Sequence, residues 1–132
     1  MRVQPYERLK FYQDICEIRL LTGKLTKRFE KSHFRLVSQM RDAARSAKQN
    51  IREGYRRGSL NIFINSIKIS KGSLEELSGD MEDCLVDGLI SKEEFATFYE
   101  FYQSASFMSS RYIVAMGKSA SQAKWKSPDR KL

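Results

Sequence analysis

Apolar residues in this chain recur every three or four positions, the spacing of an amphipathic α-helix. In the first segment Phe11, Ile15, Ile18, Thr22, Leu25 and Phe29 form a seam of coiled-coil type, which predicts a helix over residues 6–29 that Gly23 weakens slightly. Leu36, Met40, Ala43, Ala44, Ala47, Ile51 and Tyr55 make a second stripe, which predicts a helix over 33–55 with Ser32 as its N-cap. Several of these residues are small, so a neighbouring helix can come close. Gly54 and Gly58 are the two candidates for its end, because glycine tolerates the left-handed cap conformation. The third stripe, Leu60, Phe63, Ile64, Ile67, Leu74, Leu77, Met81 and Leu85, predicts a helix over 59–87 that Gly88 stops. Gly72 and Gly79 lie inside it, at a cost of about 1 kcal/mol each against Ala, and close packing is the expected reason. The fourth helix has the clearest start. Ser91-Lys92-Glu93-Glu94 is a capping box, followed by Phe95, Phe98, Tyr102, Ala105, Ser109, Tyr112 and Met116 at helical spacing.

Four such helices with short connections pack most simply as an all-α, antiparallel up-down-up-down bundle. Helices of 20 residues or more span about 30 Å, so the bundle is expected to be elongated. The two prolines, Pro5 and Pro128, flank the pattern and leave its middle without a helix breaker. Residues 1–118 are expected to form the bundle. Residues 119–132, with Pro128, Trp125 and several Lys and Arg, are expected to be a disordered basic tail. The fourth helix carries more apolar surface than one seam needs: Phe101, Met108 and Ala115 form a second column beside Phe107 and Val114, and the third helix adds Ile62 and Ile69. A wide core stripe explains these residues as well as a subunit interface does. On the second reading Ile62, Ile69, Phe101, Phe107 and Met108 lie between protomers.

Charge changes the picture from a generic bundle to one with a polarity. The 132 residues carry a net +8, and residues 1–57 hold 15 Lys and Arg against 6 Asp and Glu. Residues 58–100 reverse this with 3 against 9, and residues 101–132 return to 6 against 1. Segregation of this kind points to a basic face for an anionic partner. On the second helix Arg41, Arg45, Lys48, Arg52 and Arg56 are spaced four, three, four and four, which places them within a band of roughly 80° beside the apolar stripe. Arg57 is expected to extend it, with Tyr55 close by. Cations in such a row can follow a phosphate backbone, and arginine adds bidentate contacts and stacking. A merely solvated charged face is the competing explanation, but only Asp42 and Glu53 relieve the repulsion between Arg41 and Arg57.

Catalytic chemistry finds little support. Glu75, Glu76, Asp80, Glu82, Asp83 and Asp87 are spaced so as to face several directions, and no histidine joins them. The single histidine, His33, sits at a helix start, where a surface or capping role is expected. Cys16 and Cys84 have neither metal-like nor redox-like spacing and are expected to be free buried thiols. No Walker motif, dinucleotide fingerprint or metal-ligand array occurs, so no enzyme activity, metal or cofactor is expected. No apolar run reaches the roughly 18 residues of a membrane span, and no signal-peptide core opens the chain, so a cytoplasmic protein is expected.

Four stretches also carry a resemblance. Leu36-Val37-Ser38-Gln39-Met40-Arg41-Asp42-Ala43-Ala44-Arg45-Ser46 followed by Asn50-Ile51-Arg52-Glu53-Gly54-Tyr55, then Ile69-Ser70-Lys71-Gly72-Ser73-Leu74-Glu75-Glu76-Leu77 and the turn Gly88-Leu89-Ile90-Ser91, resemble the four-helix-bundle proteins encoded in 23S rRNA intervening sequences. The likeness covers roughly residues 8–117, in order and in spacing. That family often has a proline and small residues where this chain has Lys48, Gln49 and Arg52, so the second helix is more basic here. The family is similar to the Avd accessory protein of diversity-generating retroelements. This likeness implies a homopentameric ring that binds nucleic acid and works with a reverse transcriptase and a template RNA. The expected role is a non-enzymatic accessory protein for structured RNA, with DNA as a second ligand and Arg41, Arg45, Lys48, Arg52, Arg56 and Arg57 as its contacts. A scaffold whose basic face docks an acidic protein, without nucleic acid, is the alternative from a different class.

Overall fold

The computed structural model describes residues 3–120, with side chains to residue 118. Four long helices carry the chain: α1 (Lys10–Thr26), α2 (Phe34–Arg56), α3 (Leu60–Val86) and α4 (Lys92–Ala120). No strand occurs among the described residues. Each helix packs against two others, α1 on α2 and α4, α3 on α2 and α4, so the four form a closed square with sequence neighbours side by side. This is the antiparallel four-helix bundle that short connections favour. The basic tail expected over 119–132 falls outside the described side chains.

The predicted first helix is in fact three pieces. Pro5–Arg8 is a 3-10 turn, Leu9 is extended at φ −69° and ψ 130°, α1 follows, and Lys27–Phe29 tightens into a second 3-10 turn. The break at Leu9 lets Tyr6 fold back onto the bundle end. There its ring lies 5.1 Å from Tyr12 and 5.2 Å from Tyr55, and Tyr55 in turn meets Phe63 at 5.5 Å. Phe63 and Phe11 both contact Tyr112, at 5.8 and 5.5 Å. These edge-on and tilted contacts join the 3-10 turn and all four helices through rings that are buried, or in Tyr112 half-buried. Below them Ile15, Ile18, Met40, Ile51, Ile67, Leu74, Leu77, Met81 and Phe98 are almost wholly buried. Cys84 is buried and Cys16 half-buried, both as free thiols. Burial, with Asp80, Asp87 and Asp83 nearby, pushes the Cys84 thiol up to about 11.

The caps account for the turns, with one correction. His33, not Ser32, occupies the N-cap of α2 and makes no side-chain cap bond; the Ser32 hydroxyl turns back to the Phe29 carbonyl at 3.3 Å. The 3-10 turn before it carries Ser32 one residue short of the cap. Ser59 caps α3 by accepting from the Ile62 amide. Gly58, at φ 78°, ends α2, and Gly88, at φ 76°, ends α3, where the Leu89 amide donates to the Cys84 carbonyl at 2.8 Å.

Gly54 does something else. It is buried in α2 at the crossing with α3, and a β-carbon there would run into both Oγ and Cβ of Ser66. Nearby, the Ser70 hydroxyl donates to the Ala47 carbonyl at 2.7 Å, and Ser46 and Ser73 meet at 3.1 Å. Small residues thus bring the two helices close, and hydroxyls satisfy polar groups between them. Close packing was expected at Gly72 and Gly79 instead; both face open space, with nothing within 4 Å of where a β-carbon would be.

The capping box of α4 forms as expected: the Glu94 amide donates to Ser91 Oγ at 3.1 Å, and the Ser91 amide donates to Glu94 Oε1 at 2.9 Å. Glu94 also accepts both ends of the Arg28 guanidinium at 2.7 Å, and Arg28 reaches the Leu89 carbonyl at 3.2 Å. The Arg28 fork, then the Ser91 amide, hold the Glu94 carboxyl down at about 2, from an ordinary 4.5. Because its folded-state value is lowered, Glu94 stabilises the fold above about pH 4.5, and this contribution is lost as pH falls from there toward 2. Glu94→Gln is therefore expected to cost about 1 kcal/mol near neutrality, an amount kept small by solvent screening. Denaturant titrations of both proteins should show that difference closing near pH 2; a gap that persists there would assign the loss to packing.

Candidate nucleic-acid interface

The cation row of α2 flanks its core stripe on the side toward α1. Arg41 and Arg45 accordingly line a groove between α1 and α2, together with Arg19, Leu20, Gly23, Lys24, Lys27, Glu30 and Ala44. The groove encloses about 670 Å³. Its lining holds five cations and one carboxylate. The α1 wall supplies three of those cations, none of them among the residues expected from the sequence. Arg19, Lys24, Lys27 and Arg45 are exposed, while Arg41 is more constrained: its Nε donates to Thr26 Oγ1 at 3.0 Å and its NH2 to Glu30 Oε2 at 2.8 Å.

The row continues along α2. Lys48 and Arg52 are half-buried, and Arg56 is exposed at the helix end. Arg52 lies near Tyr12 of α1. Burial raises the Tyr12 phenol, with Cys16 and Tyr6 adding to the rise, and the Arg52 charge pulls the other way. Arg57 does not extend the row. Five residues beyond Arg52 it falls about 140° away around the helix, and it lines a different groove, between α2 and α3, with Asn50, Glu53, Asn61, Ile62, Asn65 and Ile69.

The residues expected at a subunit interface occupy three settings. Ile62 and Ile69 lie in that polar α2–α3 groove, 38% and 48% exposed. Phe107 is 60% exposed on the outer side of α4 next to Val114, with the Arg111 guanidinium 5.7 Å above its ring. Phe101 and Met108 are half-buried and pack against the core, as the wide-stripe explanation has it. The α3 carboxylates diverge: Asp80 accepts from Gln39 of α2 at 3.0 Å, and Glu75 and Glu82 lie close enough to Tyr102 of α4 to raise its phenol beyond the effect of burial. No three His, Cys, Asp or Glu side chains among the described residues are placed to hold a metal ion. No described helix is long and apolar enough to cross a membrane.

A family model described as the 23S rRNA-intervening sequence protein matches residues 7–111. The chain belongs to the 23S rRNA-intervening sequence protein family. The matched span takes in both walls of the basic groove, the close α2–α3 crossing and most of α4, so the features described above lie inside the family domain. No curated protein matches the chain.

Proposed function

We propose that this member of the 23S rRNA-intervening sequence protein family is a non-enzymatic nucleic-acid-binding accessory protein. Its ligand is structured RNA, with DNA as a second candidate. The observation that carries this reading is the α1–α2 groove, in which Arg19, Lys24 and Lys27 stand across from Arg41 and Arg45. The α2 row extends it through Lys48, Arg52 and Arg56. Its contacts are to phosphates, so recognition follows charge and shape more than base sequence. The likeness to Avd supports two finer parts of the proposal. One is a homopentamer that repeats the groove around a ring and raises avidity, with Phe107 and the Ile62–Ile69 face as contacts between subunits. The other is a reverse transcriptase as protein partner, in the cytoplasm.

Fluorescence anisotropy with a structured RNA at several salt concentrations tests the reading, on protein whose mass is fixed by light scattering. The expected log–log slope is steeper than about −3, the signature of several phosphate contacts. The expected mass is five times the 15.4 kDa chain. Weak binding that ignores salt would sink the nucleic-acid reading, and the groove would then belong to an acidic protein partner. A monomer mass would remove the ring.

A further inference from the structure

Glu30 is the single acid among the groove-lining residues, and it does not point away from the cations around it. Its carboxylate reaches from the end of the α1 segment to α2 and accepts from Arg41 NH2 at 2.8 Å. The neighbouring Nε donor of the same guanidinium is fixed differently. Arg41 Nε donates to Thr26 Oγ1 at 3.0 Å, and Thr26 is wholly buried. The Thr26 hydroxyl spends its own proton on the Thr22 carbonyl at 2.7 Å, which leaves an oxygen lone pair facing Arg41. The guanidinium is thus aimed by a buried neutral group and completed by an exposed charged one. The Thr26 bond can persist whatever enters the groove. The Glu30 bond, between side chains 39% and 43% exposed, is a surface pair that is readily exchanged.

A phosphate asks of arginine what a carboxylate does: an anionic oxygen pair facing a planar fork of N–H donors. Lys27 and Arg45 line the same groove and add positive charge around the fork. We infer that the Arg41 guanidinium is a seat for a backbone phosphodiester, and that Glu30 fills this seat in the free protein as an internal competitor. The inference rests on the nucleic-acid reading of the groove. It goes further by naming the residue that receives the phosphate and the one that yields to it. Binding then exchanges one charge-assisted bond for another. Glu30 lowers affinity for every polyanion and keeps Arg41 aimed while the groove is empty.

The test is a cycle of four proteins, wild type, Glu30→Gln, Arg41→Lys and the double variant, each titrated with a fluorescently labelled RNA hairpin across a salt series. Arg41→Lys keeps the charge but removes the fork. If Glu30 competes through Arg41, Glu30→Gln binds about fivefold tighter with little change in salt slope, because the phosphate reaches Arg41 in both proteins and only the competitor is removed. On the Arg41→Lys background the same change gains less than about twofold, because the coupling has gone. An equal gain on both backgrounds would mean that Glu30 acts only through net charge, and no gain on either would mean that it does not compete. Each overturns the seat while wild-type binding keeps the broader reading intact. If none of the four binds the hairpin, both fall together.

Discussion

Reversing Arg45 and Arg52 together to glutamate is expected to lower affinity for a structured RNA about 100-fold near 0.1 M salt. Each phosphate contact contributes a slope of about 0.7 to 0.9 in log affinity against log salt, so losing two contacts costs roughly 30-fold at that concentration, and the repulsion of two new carboxylates adds to it. The slope itself should fall by about 1.5, and the two proteins should converge near 1 M salt, where counterion release no longer favours binding. Arg57→Glu is the control. It is one reversal rather than two, at the C-cap of α2 and in the α2–α3 groove, so with the oligomeric mass unchanged its effect on the slope should be small. Arg52 is half-buried beside α1, and thermal melts must therefore show the double variant folded. Unchanged affinity in a folded double variant would remove the α2 row as the binding surface. A loss with Arg57→Glu half as large in log affinity as that of the double variant would mean that only the average charge matters.

The second large effect is on stability. Gly54→Ala is expected to destabilise the bundle by about 3 kcal/mol, at the upper end for overpacking, and to lower the Tm by about 10 °C. The estimate is high because the obstruction is not a flexible tip. Ser66 Cβ itself lies within the forbidden distance and the Phe63 Cα at 3.7 Å, so the helices must separate. Separation would also stretch the Ser70 to Ala47 bond nearby. Gly72→Ala and Gly79→Ala should do the reverse. Both sites are open in the interior of α3, so each alanine should stabilise by about 0.5 to 1 kcal/mol through backbone entropy alone. Denaturant midpoints of the three variants give the comparison directly. A neutral Gly54→Ala would mean that α2 and α3 sit further apart than described.

These two experiments also mark where sequence reasoning succeeds and where it stops. Periodicity within one helix is a local property. It correctly places the core stripe of α2 from Met40 through Tyr55, the capping box at Ser91 and the cation row beside that stripe. Which glycine is crowded is a property of two helices at their crossing. Gly54, Gly72 and Gly79 look alike in one dimension, and only the α2–α3 contact separates them. The same holds for the α1 wall of the groove. Arg19, Lys24 and Lys27 show no row of their own, because their spacing takes them across the outer surface of α1. A usable signal was present nonetheless. Folding the chain back about the turn near residues 30–33 brings Arg19 opposite Arg45 and Thr26 opposite Arg41, and the two sets of cations then face each other. Arg57 is the converse case: adjacency in sequence suggested continuity that 100° of rotation per residue denies. The break at Leu9 escaped because Pro5 and Tyr6 begin a helical spacing that the aromatic cluster, a tertiary feature, interrupts.

The ion pair between Arg28 and Glu94 has a meaning beyond pH. Arg28 sits in the 3-10 turn between Lys27 and Glu30, two residues of the groove, and its fork ties that turn to the start of α4 and to the Leu89 carbonyl. Chain ends and helix termini fray, and a frayed α1 terminus would let Lys27 and Glu30 wander before any ligand arrived. Bolted from behind by the start of the adjacent α4, this end of the groove is already in place when a polyanion meets it. Association then gives up less conformational freedom, a gain in affinity made by residues that never touch the ligand.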